Sequence, residues 1–246
     1  MCDPTESAPG TGWRGWNTSD AVRPATAAGD WIDLTWPLSP SVPRIGSFPP
    51  PRIERIASIP DEPLNITELS MIVHIGTHVD TPRHLFSDGP AMEDVPLARL
   101  MGSGVVWRIN KPLEGMIEPE DFERMRPQLE PGDILLLDTG VARYVGTPEY
   151  DRHAALSLAA AQWLVDKKLK LLAVDTPTPE VSIHKRPQGF DWPVHHTLLR
   201  DGVLISEQVA NARSLAGRRA EFLFLPLNIV GGDGAPARVL GRPIRD

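Results

Sequence analysis

The stretch VHIGTHVDTPRH, residues 73–84, is the part of this 246-residue chain that says most about its fold. It brings together His74, His78, Asp80 and His84, in a chain that has 7 histidines in all. In an extended strand the even-numbered side chains point to one face and the odd-numbered side chains to the other. The alternation of polar and apolar residues therefore predicts a strand that lines a pocket with one face and packs into the core with the other.

A straight strand cannot bring the side chains of His74 and His78 to one ion, because four residues at ~3.3 Å each span roughly 13 Å. Gly76 lies between them and tolerates backbone conformations that are closed to other residues. We therefore expect a bend at Gly76, followed by a change of direction at Pro82 that brings His84 into the same cavity.

The bent segment is predicted to place His74, His78 and Asp80 around a divalent cation as metal ligands. Burying these imidazoles and the carboxylate without a cation would be costly, which argues against a purely structural cluster. Three protein ligands leave a position open for water, whose pKa a bound ion lowers to about 7. His84 is predicted to be the catalytic general acid and base, because imidazole titrates near neutral pH. These residues indicate hydrolysis of a carbonyl derivative by metal-bound hydroxide.

A second group of candidate residues lies in DWPVHHTLLRDGVLISE, residues 191–207. A short helix, a glycine turn and a strand separate His195 from Glu207 and could return both to one site. Glu207 ends an apolar strand, where burial of an unpaired carboxylate is costly. The alternative for Glu207 is a carboxylate at the rim of a loop. His196 competes with His195 for the same role and is expected to point elsewhere.

Runs of apolar and β-branched residues predict strands that are apolar on both faces, which favours a central sheet or barrel packed by helices. Helices are predicted at residues 118–129, at 157–168 with Ser157 as the N-cap, and at 193–200. The expected fold class is mixed α/β, in one domain over residues 31–246 after a flexible or extended N-terminal arm of residues 1–30. The predicted strands are residues 31–38, 68–76, 103–110, 132–140, 169–175, 202–206 and 221–230.

The composition limits the classes of function. Hydrophobic residues make up 41% and charged residues 23%, as in globular domains, and the net charge is −7. An acidic chain offers no basic surface to a phosphate backbone, so nucleic acid is not an expected partner. Cys2 is the only cysteine, which excludes an intramolecular disulfide and a thiolate zinc site. No apolar run reaches the ~20 residues of a membrane helix and no secretory signal is recognisable, so we expect a cytoplasmic protein without a membrane partner.

The segment HIGTHVDTPRH, residues 74–84, resembles the HxGTHxDxPxH signature of the cyclase family, which includes bacterial kynurenine formamidase and isatin hydrolase. The resemblance implies a swivelling β/β/α fold and a small-molecule substrate. It also implies a homo-oligomer, a dimer or tetramer, whose subunits contribute to one another's pockets. Supporting stretches are residues 31–43, 87–97, 131–140, 195–207 and 225–238.

The same resemblance implies roles for individual residues. The three ligands of the motif would bind a first metal ion, and His84 would donate and accept protons. His195 and Glu207 would be distal metal ligands, with Asp80 and Glu207 bridging two zinc ions in formamidase-like members. Other members that resemble this chain use a single manganese ion.

The chain departs from the formamidases at the substrate wall. Where they place Trp-Pro-Gly-Asp, this chain has RIGS at residues 44–47, and Trp36 and Phe48 are the candidates for a substrate-binding aromatic wall. Packing in the core is the alternative for Trp36. The sequence thus predicts a metal-dependent amidohydrolase that cleaves a C–N bond in a formamide, lactam or cyclic imide of a small aromatic substrate. Two alternatives stay open: a metal-assisted lyase or cyclase acting through an enolate, and a non-catalytic protein that binds a metal or ligand.

Overall fold

The structure is a computed structural model that describes residues 30–244. The predicted N-terminal arm, residues 1–30, lies outside the described residues except for Asp30. The helices are α1 (Pro119–Glu123), α2 (Leu158–Asp166) and α3 (Pro193–Arg200). The strands are β1 (Ile32–Asp33), β2 (Arg52–Ala57), β3 (Ile66–Ser70), β4 (His78–Asp80), β5 (Met101–Arg108), β6 (Met116–Ile117), β7 (Ile134–Asp138), β8 (Ala155–Leu156), β9 (Leu171–Val174), β10 (Leu204–Glu207), β11 (Arg219–Pro226) and β12 (Gly234–Pro243).

The main sheet closes on itself. Its strand order is β1-β12-β11-β5-β7-β9-β10-β4, and β4 also pairs with β12. The strands β5, β7, β9 and β10 run parallel, while β4 runs antiparallel to both of its neighbours. This arrangement is the mixed α/β architecture with a central barrel that the sequence predicts.

The two faces of the central strands pack into two separate hydrophobic clusters. Val106 and Leu136 belong to one cluster, together with side chains of β11 and β12. Val105 and Leu135, the neighbours of these residues in sequence, belong to the other cluster, which contains Leu164 of α2. Both faces are therefore covered, which explains why these strands are apolar throughout.

Several predicted boundaries are wrong. The strand predicted at 68–76 ends at Ser70, because residues 71–77 turn before β4 begins. The strand predicted at 31–38 forms only β1. The helix predicted at 118–129 is limited to α1, which ends at Glu123, and Pro127 further disfavours helical backbone at residue 126. Sequence patterns do not predict β12, because Gly and Pro interrupt its sequence GAPARVLGRP.

The strands β2 and β3 form a separate hairpin on the surface. They pair only with each other, and nearly all of their residues are exposed. Ile53, Ile56 and Ile66 present apolar side chains to solvent there. A two-stranded hairpin is marginally stable by itself in water, so covering this one with another surface would stabilise it.

Among the helices within residues 30–244, none has both the length and the apolar character needed to cross a membrane.

Candidate metal centre and active site

The short strand β4 carries the centre of the motif between two other strands. In its pairing with β10, His78 lies opposite Glu207. In its pairing with β12, Asp80 lies opposite Gly234. The main-chain hydrogen bonds on both edges of β4 therefore fix the positions of its side chains relative to residues far away in sequence.

The predicted bend at Gly76 is confirmed. Gly76 has a φ of +68°, in the left-handed region that favours glycine. A Cβ atom there would lie 2.8 Å from Cγ2 of Val42, so the close approach of the chain also requires glycine. The carbonyl oxygen of Gly76 lies 2.7 Å from Nδ1 of His78. The turn thus aims the His78 ring as well as redirecting the chain.

The motif residues form one compact cluster. Nδ1 of His74 lies 2.7 Å from Oδ1 of Asp80, and Nε2 of His78 lies 3.3 Å from the same oxygen. Possible ligand atoms of these three residues all lie within 4.8 Å of one another. The structure therefore brings together the three residues that the sequence predicts as metal ligands.

The distal residues His195 and Glu207 reach the same cluster. Nε2 of His195 lies 3.1 Å from Oε1 of Glu207 and 3.8 Å from Oδ2 of Asp80. Asp80, His195 and Glu207 form a second set of possible ligand atoms within 4.8 Å of one another. His196 turns away and packs edge-on against Phe86, with ring centroids 5.3 Å apart. The helix α3 and the end of β10 thus supply one cluster residue each.

Three buried carboxylates and the half-exposed Asp233 surround these imidazoles and create a strong preference for positive charge. Burial alone would lower the pKa of His74, but Asp80 and Asp233 raise it to about 10. Burial likewise opposes protonation of His195, yet Glu180 and Glu207 raise its pKa to about 10. A divalent cation bound here would supply this positive charge in place of the protons.

The burial and hydrogen bonding of the His78 side chain also suit a metal ligand. Its side chain is fully buried, and its Nε2 atom has no hydrogen-bond partner among the described residues. With Nδ1 donating to the carbonyl of Gly76, Nε2 carries the free lone pair. Metal-binding histidines are typically oriented by such a bond from the other ring nitrogen. Imidazole nitrogen and carboxylate oxygen are donors that suit zinc and manganese, so the residues fit a divalent ion.

The ring of His84 lies beside the cluster, on a short 3₁₀ turn that starts at Pro82. Its centroid is 4.1 Å from that of His74 and 6.1 Å from that of His195. Burial lowers the pKa of His84 below its ordinary value of 6.5, although the charge of Asp80 opposes the shift. The imidazole is therefore neutral at neutral pH and able to accept a proton.

The cluster opens into a cavity of about 460 Å³. Phe48, a candidate substrate-binding residue, lies in its wall. The structure does not bring Trp36 there. Its backbone N–H donates to Oγ1 of Thr77, on the odd-numbered side of the motif, and its side chain lines a different cavity of about 420 Å³. The metal-side cavity is lined by Ile45, Ser47, Phe48, His74, Asp80, His84, Leu85, Thr178, Ile183, Arg186, Trp192, His195 and Glu207.

Comparison with known proteins identifies the family. A profile of the family described as "Putative cyclase" matches residues 32–181. The chain belongs to this cyclase family. The resemblance found in residues 74–84 is thereby confirmed. The kynurenine formamidase of Bacillus cereus is 29% identical to this cyclase-family chain over 219 residues, which cover 87% of the chain and 98% of the relative.

Two solved structures share the fold of this cyclase-family chain. Isatin hydrolase A from Labrenzia aggregata superposes with a TM-score of 0.79 at 22% identity, over 88% of the chain and 94% of the neighbour. A protein described as a "potential metal-dependent hydrolase with cyclase activity" superposes with a TM-score of 0.72 at 27% identity, over 88% and 99% respectively. The predicted cyclase-like fold class is confirmed.

Two carboxylates of this cyclase-family site are absent from the sequence-based prediction. Oδ2 of Asp233 lies 2.9 Å from Nε2 of His74 and 3.5 Å from Nδ1 of His84, and the bond from His74 lowers the pKa of Asp233 to about 2. Glu180 is buried and accepts hydrogen bonds from the backbone N–H and Nδ1 of His195, at 2.8 and 2.9 Å. Each carboxylate orients a histidine of the cluster.

The structure requires glycine at position 234 for this arrangement. A Cβ atom at Gly234 would lie 2.7 Å from Cε1 of His74, so the ring can occupy its place only against glycine. The surrounding Gly-Gly-Asp-Gly sequence, residues 231–234, is typical of a turn, and nothing within it indicates that the aspartate faces a histidine.

Proposed function

We propose that this chain is a metal-dependent hydrolase that cleaves the C–N amide bond of a formamide, lactam or cyclic imide in a small aromatic molecule. The observation that supports this most directly is the cluster of His74, His78 and Asp80, in which Nε2 of His78 has no hydrogen-bond partner among residues 30–244. His74 and Asp80 line a cavity together with His84. The prediction of an enzyme of the metal-dependent amide hydrolase class is confirmed by the kynurenine formamidase relatives.

The donor atoms suit one divalent ion or two. His74, His78 and Asp80 would hold one ion, while His195 and Glu207 form a second set that shares Asp80 with the first. The mixture of nitrogen and oxygen donors suits either zinc or manganese. When bound, such an ion supplies Lewis-acid chemistry that polarises the amide carbonyl and makes water more acidic.

His84 is the group that moves the proton in this proposal. Its Nδ1 faces Asp233 at 3.5 Å, which leaves Nε2 to accept a proton from the attacking water. The same atom then delivers that proton to the leaving nitrogen. Asp233 holds the ring in the required orientation and remains ionised, since its pKa is about 2.

The apolar side of the cavity suits an aromatic substrate. Phe48 and Trp192 lie in its wall together with Ile45 and Leu85. Aromatic and aliphatic side chains of this kind bind a flat ring by burying its surface, and a few polar groups then fix its orientation. We therefore assign Phe48 a role in substrate binding.

The proposal is tested with the metal-loaded chain and a panel of aryl formamides, lactams and cyclic imides in heavy-oxygen water. Hydrolysis places one solvent oxygen in each acid product, which mass spectrometry detects. The His84→Ala variant serves as the matched control with its metal retained. Turnover without solvent oxygen would instead identify a lyase or cyclase. Metal binding without turnover of any amide would identify a binding protein.

We also propose that the chain forms a homo-oligomer, a dimer or tetramer, in the cytoplasm. The exposed apolar side chains of the β2–β3 hairpin support association between copies, because their burial in an interface would stabilise both partners. Sedimentation or light scattering of the chain, compared with an Ile53→Glu and Ile66→Glu double variant, tests this. Both proteins sedimenting as monomers would contradict it.

A further inference from the structure

The wall of the metal-side cavity contains a cation that the hydrolytic chemistry does not use. Arg186 is the one Lys or Arg side chain among the described residues that line this cavity. It directly follows a 3₁₀ turn, Ile183–Lys185. The neighbouring cations have other partners, since His184 and Lys185 both form ion pairs with Glu114, at 2.8 and 2.9 Å. Arg186 alone among them faces the cavity.

The guanidinium of Arg186 is held in place on three sides. Its Nε donates a hydrogen bond of 3.0 Å to the carbonyl oxygen of Val181. Its central carbon lies 4.9 Å from the ring centroid of Phe190 and 5.7 Å from that of Trp192. Stacking on aromatic faces and a backbone hydrogen bond reduce the freedom of the side chain, so it does not need to be ordered when a ligand arrives.

One edge of this guanidinium lacks a partner. Nη2 of Arg186 is buried and makes no hydrogen bond to any of residues 30–244. The nearby carboxylates are already engaged, since Glu180 accepts two bonds from His195 and Glu207 contacts both His78 and His195. A buried donor without a partner costs free energy, and a charged donor costs more. An anion entering the cavity would remove this cost.

We propose that Arg186 binds a carboxylate of the substrate, so that the amide hydrolysed at this site belongs to a small aromatic carboxylic acid. This inference rests on the proposed hydrolase function and specifies its substrate class. A guanidinium presents two parallel N–H groups that match the two oxygens of a carboxylate. The aromatic rings beside Arg186 would pack against the ring of this acid, and the metal cluster in the same cavity would receive the amide.

The test compares matched pairs of substrates that differ only in charge. Formylated aminobenzoic acids with ortho, meta and para geometry are compared with the corresponding formylated aminobenzamides, using the metal-loaded chain. We expect kcat/KM to be at least 10-fold higher for the acid than for the amide in one of the three geometries. The Arg186→Met variant should lose 10- to 100-fold in kcat/KM for that acid, mainly through KM, as is typical of hydrogen bonds to charged groups. Its kcat/KM for the neutral partner should change less than about 3-fold.

Two further variants separate recognition from folding. Arg186→Lys keeps the positive charge but lacks the two parallel N–H groups of the guanidinium. It should therefore retain part of the preference for acids. Arg143→Met removes a guanidinium that also stacks on an aromatic ring, 4.7 Å from the centroid of Tyr144, but lines other cavities. It should leave the preference unchanged. Equal losses for acid and amide in both Arg186 variants would overturn the inference.

A binding measurement keeps the inference testable if no amide is turned over. Calorimetric titration of aminobenzoates and aminobenzamides into metal-loaded His84→Ala protein measures affinity without chemistry. We expect the aminobenzoate to bind at least 10-fold more weakly when Arg186→Met is added, and the aminobenzamide to bind equally well. Aminobenzoate affinity that does not depend on Arg186 would refute carboxylate recognition. Absence of turnover with intact Arg186-dependent binding would refute the hydrolase proposal alone.

Discussion

His78 and Glu207 lie directly opposite each other in the antiparallel pairing of β4 with β10, and Nε2 of His78 is 3.5 Å from Oε2 of Glu207. The two residues come from distant parts of the chain, and a main-chain ladder rather than a flexible loop brings them together. A shift of one residue in that ladder would point one of the two side chains to the opposite face. The register of β4 therefore determines whether the metal centre exists.

Metal binding and proton transfer should respond separately to mutation. Asp80 contacts both His74 and His78, so Asp80→Ala should lose bound metal and activity together. His84→Ala should keep its metal and lose 10²- to 10⁴-fold in kcat, the usual contribution of a general acid or base. Elemental analysis and turnover of the same preparations provide the comparison. Equal loss of metal in the two variants would rule out this division of roles.

The pH dependence of kcat/KM should report His84. Burial lowers the pKa of His84 below 6.5, so the neutral imidazole that accepts a proton predominates at neutral pH and disappears as the pH falls. Activity should therefore decline on the acid side with a pKa below 6.5. The residual activity of His84→Ala should lack that acid limb. If the native chain and His84→Ala showed the same decline in kcat/KM at acid pH, that decline would belong to a group other than His84.

Glu180 should act on the metal through His195. Its carboxylate accepts the bond from Nδ1 of His195, and loss of such an orienting partner typically costs 10- to 100-fold in metal affinity. Glu180→Gln, which preserves size, should therefore bind metal more weakly in a competition with a chelator. Glu221→Gln, at a carboxylate that pairs with Arg242 away from the site, is the matched control. Equal affinities in the two variants would exclude the positioning role.

Asp175 should make stability depend on pH. Its buried carboxyl accepts hydrogen bonds from Thr139 and Gly140, but burial raises its pKa from 3.8 to about 6. Because the folded state holds the proton more tightly, this contribution to the free energy of unfolding is greatest below about pH 4 and is lost as the pH rises through 6. Relative to Asp175→Asn, the native chain should lose on the order of 2 to 3 kcal/mol over this range in urea unfolding. A difference in the free energy of unfolding between the two proteins that does not change with pH would contradict this prediction.

The N-cap of α2 should contribute measurably to stability. Oγ of Ser157 accepts a hydrogen bond of 3.1 Å from the backbone N–H of Ala160. Ser157→Ala should lower the free energy of unfolding by about 1 kcal/mol, whereas Ser157→Asp, which preserves the acceptor, should restore most of it. Chemical denaturation of the three proteins measures both effects. Similar losses in both variants would exclude capping as the cause.

Features encoded over a few residues could be predicted from the sequence. The spacing of histidine and aspartate identifies His74, His78 and Asp80 as candidate ligands, and the glycine between the histidines identifies the bend, because backbone freedom is a local property. Only His78 and Asp80 lie in β4, and His74 lies in the turn before it. The N-cap at Ser157 is local in the same sense. The helix α3 also has the bounds that the sequence predicts.

Features that depend on contacts between distant segments could not be predicted. Asp233 reaches His74 only because Gly234 pairs with Asp80 across β4 and β12, and the strand β12 is hidden in a sequence rich in glycine and proline. Arg186 is a charged residue in a loop by sequence, and only the packed structure shows that its Nη2 atom is buried without a hydrogen-bond partner among residues 30–244. Both the position of Asp233 and the burial of the Arg186 guanidinium depend on packing between segments that are distant in sequence.

The position of β4 between two late strands also affects biosynthesis. Residues 78–80 leave the ribosome long before residues 204–207 and 234–236, which form the hydrogen-bonded edges on either side of them. A nascent chain that stops short of these segments carries the histidines of the motif without the ladder that aligns them. The side chains that would hold an ion are therefore aligned only after residue 236 has been synthesised.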